Sequence, residues 1–204
     1  MEFKKIQLNG FKSFAEKADF LIEDGLTGIV GPNGCGKSNI VESLRWAMGE
    51  TSAKSMRGTG IEDVIFSGTS NKASKNIAEV TIEVENKDKE GPIQYREHDQ
   101  IQIKRKIEKD KGSKFYINGK EVRARDAQMF FADLSTGAHS PSMISQGRIG
   151  TLVTAKPTDR RAILEEAAGI SGLHVRRHEA ELRLNAAENN LKRADELRRQ
   201  QEKQ

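Results

Sequence analysis

The chain has 204 residues, 35% of them hydrophobic and 31% charged, with 34 Lys and Arg against 30 Asp and Glu for a net charge of +4. This allows one domain of ordinary size with an extension, but it is polar for a packed globule, so part of the chain is not globular or another chain supplies part of its core. The charge permits nucleic-acid binding without demanding it. A lone cysteine excludes an intramolecular disulfide, and the sequence lacks both the ~20-residue apolar run of a membrane span and a signal-peptide core, which together imply a soluble cytoplasmic protein.

The first 30 residues read as strands. Ile6 and Leu8 alternate with polar neighbours, "DFLI" at 19–22 is short and apolar, and "LTGIV" at 26–30 runs into a glycine loop. That loop, "GPNGCGKS" at 31–38, sets Gly31, Gly36, Lys37 and Ser38 at the spacing of a phosphate-binding loop between a strand and a helix. Glycines let successive backbone N–H groups turn inward toward phosphate oxygens, and the following helix N-terminus adds partial positive charge. Lys37 is placed to reach the β- and γ-phosphates, and the Ser38 hydroxyl to coordinate Mg²⁺. Cys35 reads as a small residue at a free loop position, not a redox group. From Lys37 onward Ile40, Val41, Leu44, Ala47 and Met48 share one stripe, which predicts a helix.

Farther on, "IAEVTIEVE" at 77–85 and "IQIKRKI" at 101–107 alternate as strands, and "KFYINGKEV" puts Asn118-Gly119 at a two-residue hairpin turn. An antiparallel layer is thus attached to a strand–loop–helix unit. A phosphate-loop enzyme also needs an acid at the end of an apolar strand. "MFFAD" at 129–133 reads better as an amphipathic helix, and "LSTGAH" at 134–139 lacks the second glycine of an "LSGG" signature. Both are decoys, and the chain carries half of a catalytic site.

After Pro157 the sequence predicts a helix from Thr158 to Gly169. From there Leu173, Arg177, Ala180, Leu184, Ala187, Leu191, Ala194 and Arg198 fall at coiled-coil spacing, imperfect because two are arginines; a solvated terminal helix is the alternative. A helix over 173–204 would extend about 48 Å, too long to bury its stripe on a small domain. The pattern stops in mid-heptad, which suggests a truncated chain.

Five segments carry a more specific likeness: "NGFKSFAEK" at 9–17, "GIVGPNGCGKSNIVESLRWAMGE" at 28–50, "MRGTGIEDVIFSGT" at 56–69, "ISQGRI" at 144–149 and "DRRAILEEAAGI" at 159–170. In this order they resemble the N-terminal part of the head of SMC (structural maintenance of chromosomes) ATPases, closest to the bacterial chromosome-organising members. The resemblance implies an α/β P-loop NTPase fold of ABC type: the N-terminal half of a head, with a mixed sheet and an antiparallel layer, over 1–170, then the start of a coiled-coil arm over 171–204. It implies ATP and Mg²⁺ as cofactors, and a C-terminal half of the head that brings the missing acid, the signature motif and the antiparallel coil strand. It further implies a second head forming a homodimer, bridging accessory subunits, double-stranded DNA bound without sequence preference, no membrane, and a place on the nucleoid.

By the same resemblance Pro32, Asn33, Gly34, Cys35, Gly36, Lys37, Ser38 and Asn39 line the triphosphate. Gln146 matches the glutamine loop that completes the Mg²⁺ shell, Arg57 the arginine-finger position, and Lys12 and Ser13 the segment approaching the nucleotide. "STGAHSPSM" departs from the family's glycine-rich wording before Gln146. Arg123 and Arg125 lie where family members place basic residues on DNA phosphates, though a solvated basic edge reads equally well. The expected function is ATP binding and hydrolysis by the paired heads, driving DNA binding, chromosome condensation and segregation. A recombination-repair head, a non-catalytic interaction module and a small kinase remain as alternatives; "EEAAGI" and "RGTGIEDVIF" favour the first reading, and no kinase lid is visible.

Overall fold

A computed structural model describes residues 1–87, 89, 92–134, 150, 153–168 and 171–202. Its centre is a six-stranded sheet in the order β2-β1-β3-β4-β5-β6. The strands are β1 (Glu2–Asn9), β2 (Ala18–Leu21), β3 (Ile77–Glu85), β4 (Gln100–Glu108), β5 (Gly112–Ile117) and β6 (Lys120–Val122). The helices are α1 (Lys37–Ala47), α2 (Ala124–Asp133), α3 (Pro157–Ala167) and α4 (Ser171–Gln201).

Alternation decides which face of the sheet is buried, because successive strand residues point to opposite sides. Register puts Ile6 opposite Ile82, Ile82 opposite Ile103, and Ile103 opposite Ile117, so one row of isoleucines crosses four strands. All four are at most 2% exposed, and together with Leu8, Val80, Ile101 and Ile107 they form a core with Ile40, Trp46, Phe130 and Phe131 of α1 and α2. The opposite face carries charges at cross-strand spacing, including Lys106 with Glu79 and Lys5 with Asp19. The β5–β6 turn has Asn118 at φ 48° and Gly119 at φ 79°, two consecutive left-handed residues of the type I′ turn that "NG" predicts.

Two expectations need correction. "LTGIV" at 26–30 joins no strand among the described residues; Leu26 is 100% and Val30 93% exposed. An apolar run of this kind becomes a strand only when a neighbouring strand accepts its backbone hydrogen bonds. Among the described residues the antiparallel layer predominates, since every strand pairing there is antiparallel. Helix α1 is also rotated from the predicted stripe. Its buried positions are Ile40, Glu42, Ser43, Trp46 and Ala47, whereas Val41 and Leu44 are only half-buried. Polar side chains can take buried positions once their own bonds are satisfied. The Ser43 hydroxyl donates to Ile40 O at 2.7 Å, and Glu42 is occupied by two cations.

Candidate functional site

The glycine loop enters α1 through Gly34 and Gly36, at φ 83° and 94°. Both lie in the left-handed region where a side chain is costly. At Gly36 the steric demand is explicit, since a Cβ there would fall 2.5 Å from the Ser13 hydroxyl. Lys37 Nζ donates to Gly31 O at 2.6 Å and Pro32 O at 2.7 Å, with Cys35 Sγ 3.8 Å away, so the ammonium is held over its own loop. Pro32, Asn33 and Gly34 are exposed along the loop, and Ser38 is exposed in the first turn of α1.

A second segment reaches this end of α1 from residues 11–14. Phe11 is fully buried, 5.5 Å from the Trp46 ring, and Lys12 N–H donates to Val64 O at 2.7 Å. These contacts hold Lys12 at φ 47°, an uncommon conformation for a residue with a Cβ. Ser13 Oγ accepts from Asn39 Nδ2 at 2.9 Å.

A third segment arrives from residues 56–63. Arg57, at φ 54°, donates from Nη2 to Asn39 Oδ1 at 2.9 Å and from Nε to Glu42 Oε1. Lys12 Nζ donates to the other oxygen of Glu42 and to Met56 O. The Arg57 loop is braced by Asp63, whose Oδ2 accepts from Gly60 N–H at 2.8 Å, Thr59 N–H at 2.5 Å and Thr59 Oγ1 at 2.9 Å. The Gly60 backbone bond is the largest of the contacts that hold the Asp63 carboxyl below its ordinary range, followed by the two from Thr59.

Lys12, Ser13, Gly36, Lys37, Asn39 and Arg57 thus lie together at the N-terminal end of α1. The geometry suits a nucleoside triphosphate: left-handed glycines, a helix N-terminus and three cationic side chains, Lys12, Lys37 and Arg57, lie in one region. For Mg²⁺, Ser38 offers one hydroxyl. Among the described residues no group of three or more His, Cys, Asp or Glu side chains is placed to hold a metal. Gln146 lies outside the described residues. Arg123 and Arg125 are exposed at the start of α2, on a separate element from the loop.

Sequence reasoning missed Glu42 and Asp63. An acid interrupting the apolar face of the helix after a phosphate loop, one turn beyond Ser38, was the available signal for Glu42. Asp63 had a weaker one, an acid three residues after Gly60 at the start of a short 3-10 helix (Ile61–Val64).

Comparison with known proteins finds the RecF/RecN/SMC N terminal domain over residues 2–150. The chain is 56% identical over 197 residues to the Chromosome partition protein Smc of Rhodopseudomonas palustris, covering 97% of this chain and 17% of that protein. Its counterpart in Myxococcus xanthus is 42% identical over 205 residues, covering 100% of this chain and again 17% of the relative. The chain therefore spans about 17% of the length of the curated relatives it matches. Among solved structures, the Smc head domain with an extended coiled coil from Pyrococcus furiosus, bound to the C-terminal domain of ScpA, superposes with a TM-score of 0.76 at 32% identity, over 96% of this chain and 48% of that one. A chain from a study of ATP-driven dimerization and DNA stimulated activation of SMC ATPases matches with a TM-score of 0.70 at 32% identity, over 82% of this chain and 99% of that one.

Proposed function

This chain belongs to the RecF/RecN/SMC N-terminal domain family, and we propose that it is the ATP-binding half of an SMC head that works in chromosome segregation. Residues 1–170 form the lobe of the head and 171–204 begin the coiled-coil arm. The relatives named for chromosome partition favour this over a recombination-repair head.

The proposal rests most directly on the convergence of the glycine loop, Lys12 and Arg57 at the N-terminal end of α1. Backbone donors from Pro32 to Asn39 and the Lys37 ammonium bind and orient the triphosphate of ATP. Ser38 is one ligand of its Mg²⁺, with Gln146 as another. The metal, when bound, neutralises charge on the transferring phosphate. Arg57 supplies further positive charge, and Lys12 and Ser13 approach the nucleotide beside it.

Hydrolysis belongs to the complete head. The exposed "LTGIV" run is the edge on which the C-terminal half adds its strands, bringing the acid that orients water and the signature motif for the opposite head. Leu184 and Leu191, 61% and 67% exposed on α4, await the returning strand of the coil. Two such heads sandwich ATP as a homodimer. A bridging subunit docks on the head, as the ScpA domain does on the Pyrococcus furiosus neighbour. Arg123 and Arg125 contact phosphates of double-stranded DNA, placing the assembly on the nucleoid in the cytoplasm. No helix among the described residues is long and apolar enough to cross a membrane.

The test is reconstitution. Mixing this chain with a polypeptide carrying the C-terminal half should yield a co-purifying complex that hydrolyses ATP. Lys37→Ile in this chain should remove that activity while leaving the complex intact. A complex whose turnover ignores Lys37 would contradict the assignment.

A further inference from the structure

Glu42, at 7% exposure, is the most buried of the three charged groups that meet here, the others being Lys12 and Arg57. Its two carboxylate oxygens are divided between two cations that come from opposite sides in sequence. Oε2 accepts from Lys12, 30 residues earlier, and Oε1 from Arg57. Both cations sit on left-handed backbone, at φ 47° and 54°. Residues held in such conformations persist only where surrounding contacts over-determine them, and here each cation meets the same buried anion.

Resting on the nucleotide-site reading above, we propose that Glu42 is a positioning residue for ATP binding: its carboxylate holds Lys12 and Arg57 side by side at the N-terminal end of α1. Without it, two neighbouring cations in a partly buried site repel each other, and Arg57, whose side chain is 58% exposed, is free to turn outward. With it, the trio keeps a net charge of +1 and a fixed geometry, which Asn39 extends by accepting from Arg57 and donating to Ser13. Glu42 lies four residues beyond Ser38, one helical turn along α1. Yet both its oxygens are engaged, so it acts through its two cations and not as a ligand of the metal or a base for water.

The experiment is steady-state ATP hydrolysis by the full-length protein, comparing Glu42→Gln, Glu42→Asp and the Lys12→Ala/Arg57→Ala background. Glu42→Gln should raise KM for ATP about tenfold, corresponding to ~1.4 kcal/mol. kcat should fall by less than about twofold, because uniform binding is what is lost. Glu42→Asp should recover most of the affinity, a rescue that bulk destabilisation does not explain. In the Lys12→Ala/Arg57→Ala background Glu42→Gln should raise KM no further, since additivity fails where one residue acts through others.

An unchanged KM in Glu42→Gln, or a further rise in the cation-free background, overturns the proposal. So does collapse of kcat at unchanged KM, which would make Glu42 a direct participant in the chemistry. Lys37→Ile separates the two levels of inference. If it abolishes ATP binding while Glu42→Gln leaves KM alone, only the positioning role falls. If Lys37→Ile leaves binding intact, the site reading and this proposal fall together.

Discussion

The guanidinium of Arg105 on β4 lies 4.5 Å from the ring centroid of Trp46 on α1, and from there Arg105 Nη1 donates to Trp46 O at 2.7 Å. The same nitrogen donates to Glu50 O at 2.7 Å, while Nη2 donates to Ser113 Oγ at 3.2 Å and Phe115 stacks at 4.6 Å. Arg105, only 2% exposed, thus fastens the C-terminal end of α1 to the sheet. The position suits a cation, because carbonyl groups at a helix C-terminus carry partial negative charge. Burial brings the Arg105 guanidinium down to about 10, with Glu50 acting in the opposite direction. Arg105→Ala should cost about 2–4 kcal/mol, since it strands buried carbonyls and leaves a void. Arg105→Lys should not restore the loss, as one ammonium cannot reproduce the planar fork. Guanidinium unfolding of the variants measures both.

Asp63 braces the loop that carries Arg57, and its hydrogen bonds from Gly60 and Thr59 favour the charged carboxylate. Its folded pKa is therefore below the ordinary 3.8. The sign follows from linkage: the contribution is fully present above that value and is lost as pH falls through the lower, folded one. NMR titration should show the amide signals of Thr59 and Gly60 holding constant through the range where an unperturbed Asp protonates, and moving only below it. Asp63→Asn should abolish that low-pH transition.

Strand content was largely legible in the sequence where alternation was strict. The 77–85 run is β3 to the residue, and the Asn118-Gly119 turn adopts the backbone its composition demands. Helix α2 was also legible, because "MFFAD" at 129–133 reads better as an amphipathic helix than as a buried strand. What could not be read were features set by long-range contact. Glu42 is buried beside Lys12 and Arg57, which arrive from elsewhere in the sequence, and no strand among the described residues pairs with "LTGIV". Local pattern carries no information about either. The phosphate loop was visible as a motif; the ion-paired cluster behind it was not.

The exposed apolar run offers a direct handle on assembly. Val30→Glu places a charge where the added strand would bury an apolar side chain, and a buried unpaired carboxylate is costly. Association with the C-terminal half should weaken by at least about tenfold, measured by calorimetry. Circular dichroism of the chain alone should not change, because Val30 is 93% exposed in it.

Arg123 and Arg125, both exposed at the start of α2, test the DNA contact. Arg123→Glu with Arg125→Glu should weaken duplex binding by the assembled heads at low salt and flatten its salt dependence, uniformly across sequences. Binding curves that overlay those of the unaltered heads would remove both residues from the DNA surface.

The division between gripping ATP and cleaving it is tested most directly by the purified chain alone, assayed in parallel for ATP binding and for phosphate release, with Lys37→Ile as the control. The expected result is weak, Mg²⁺-dependent binding that disappears in Lys37→Ile, with no phosphate release above background. Sustained hydrolysis by the chain alone, lost in the same variant, would mean that these 204 residues already hold the acid that activates water.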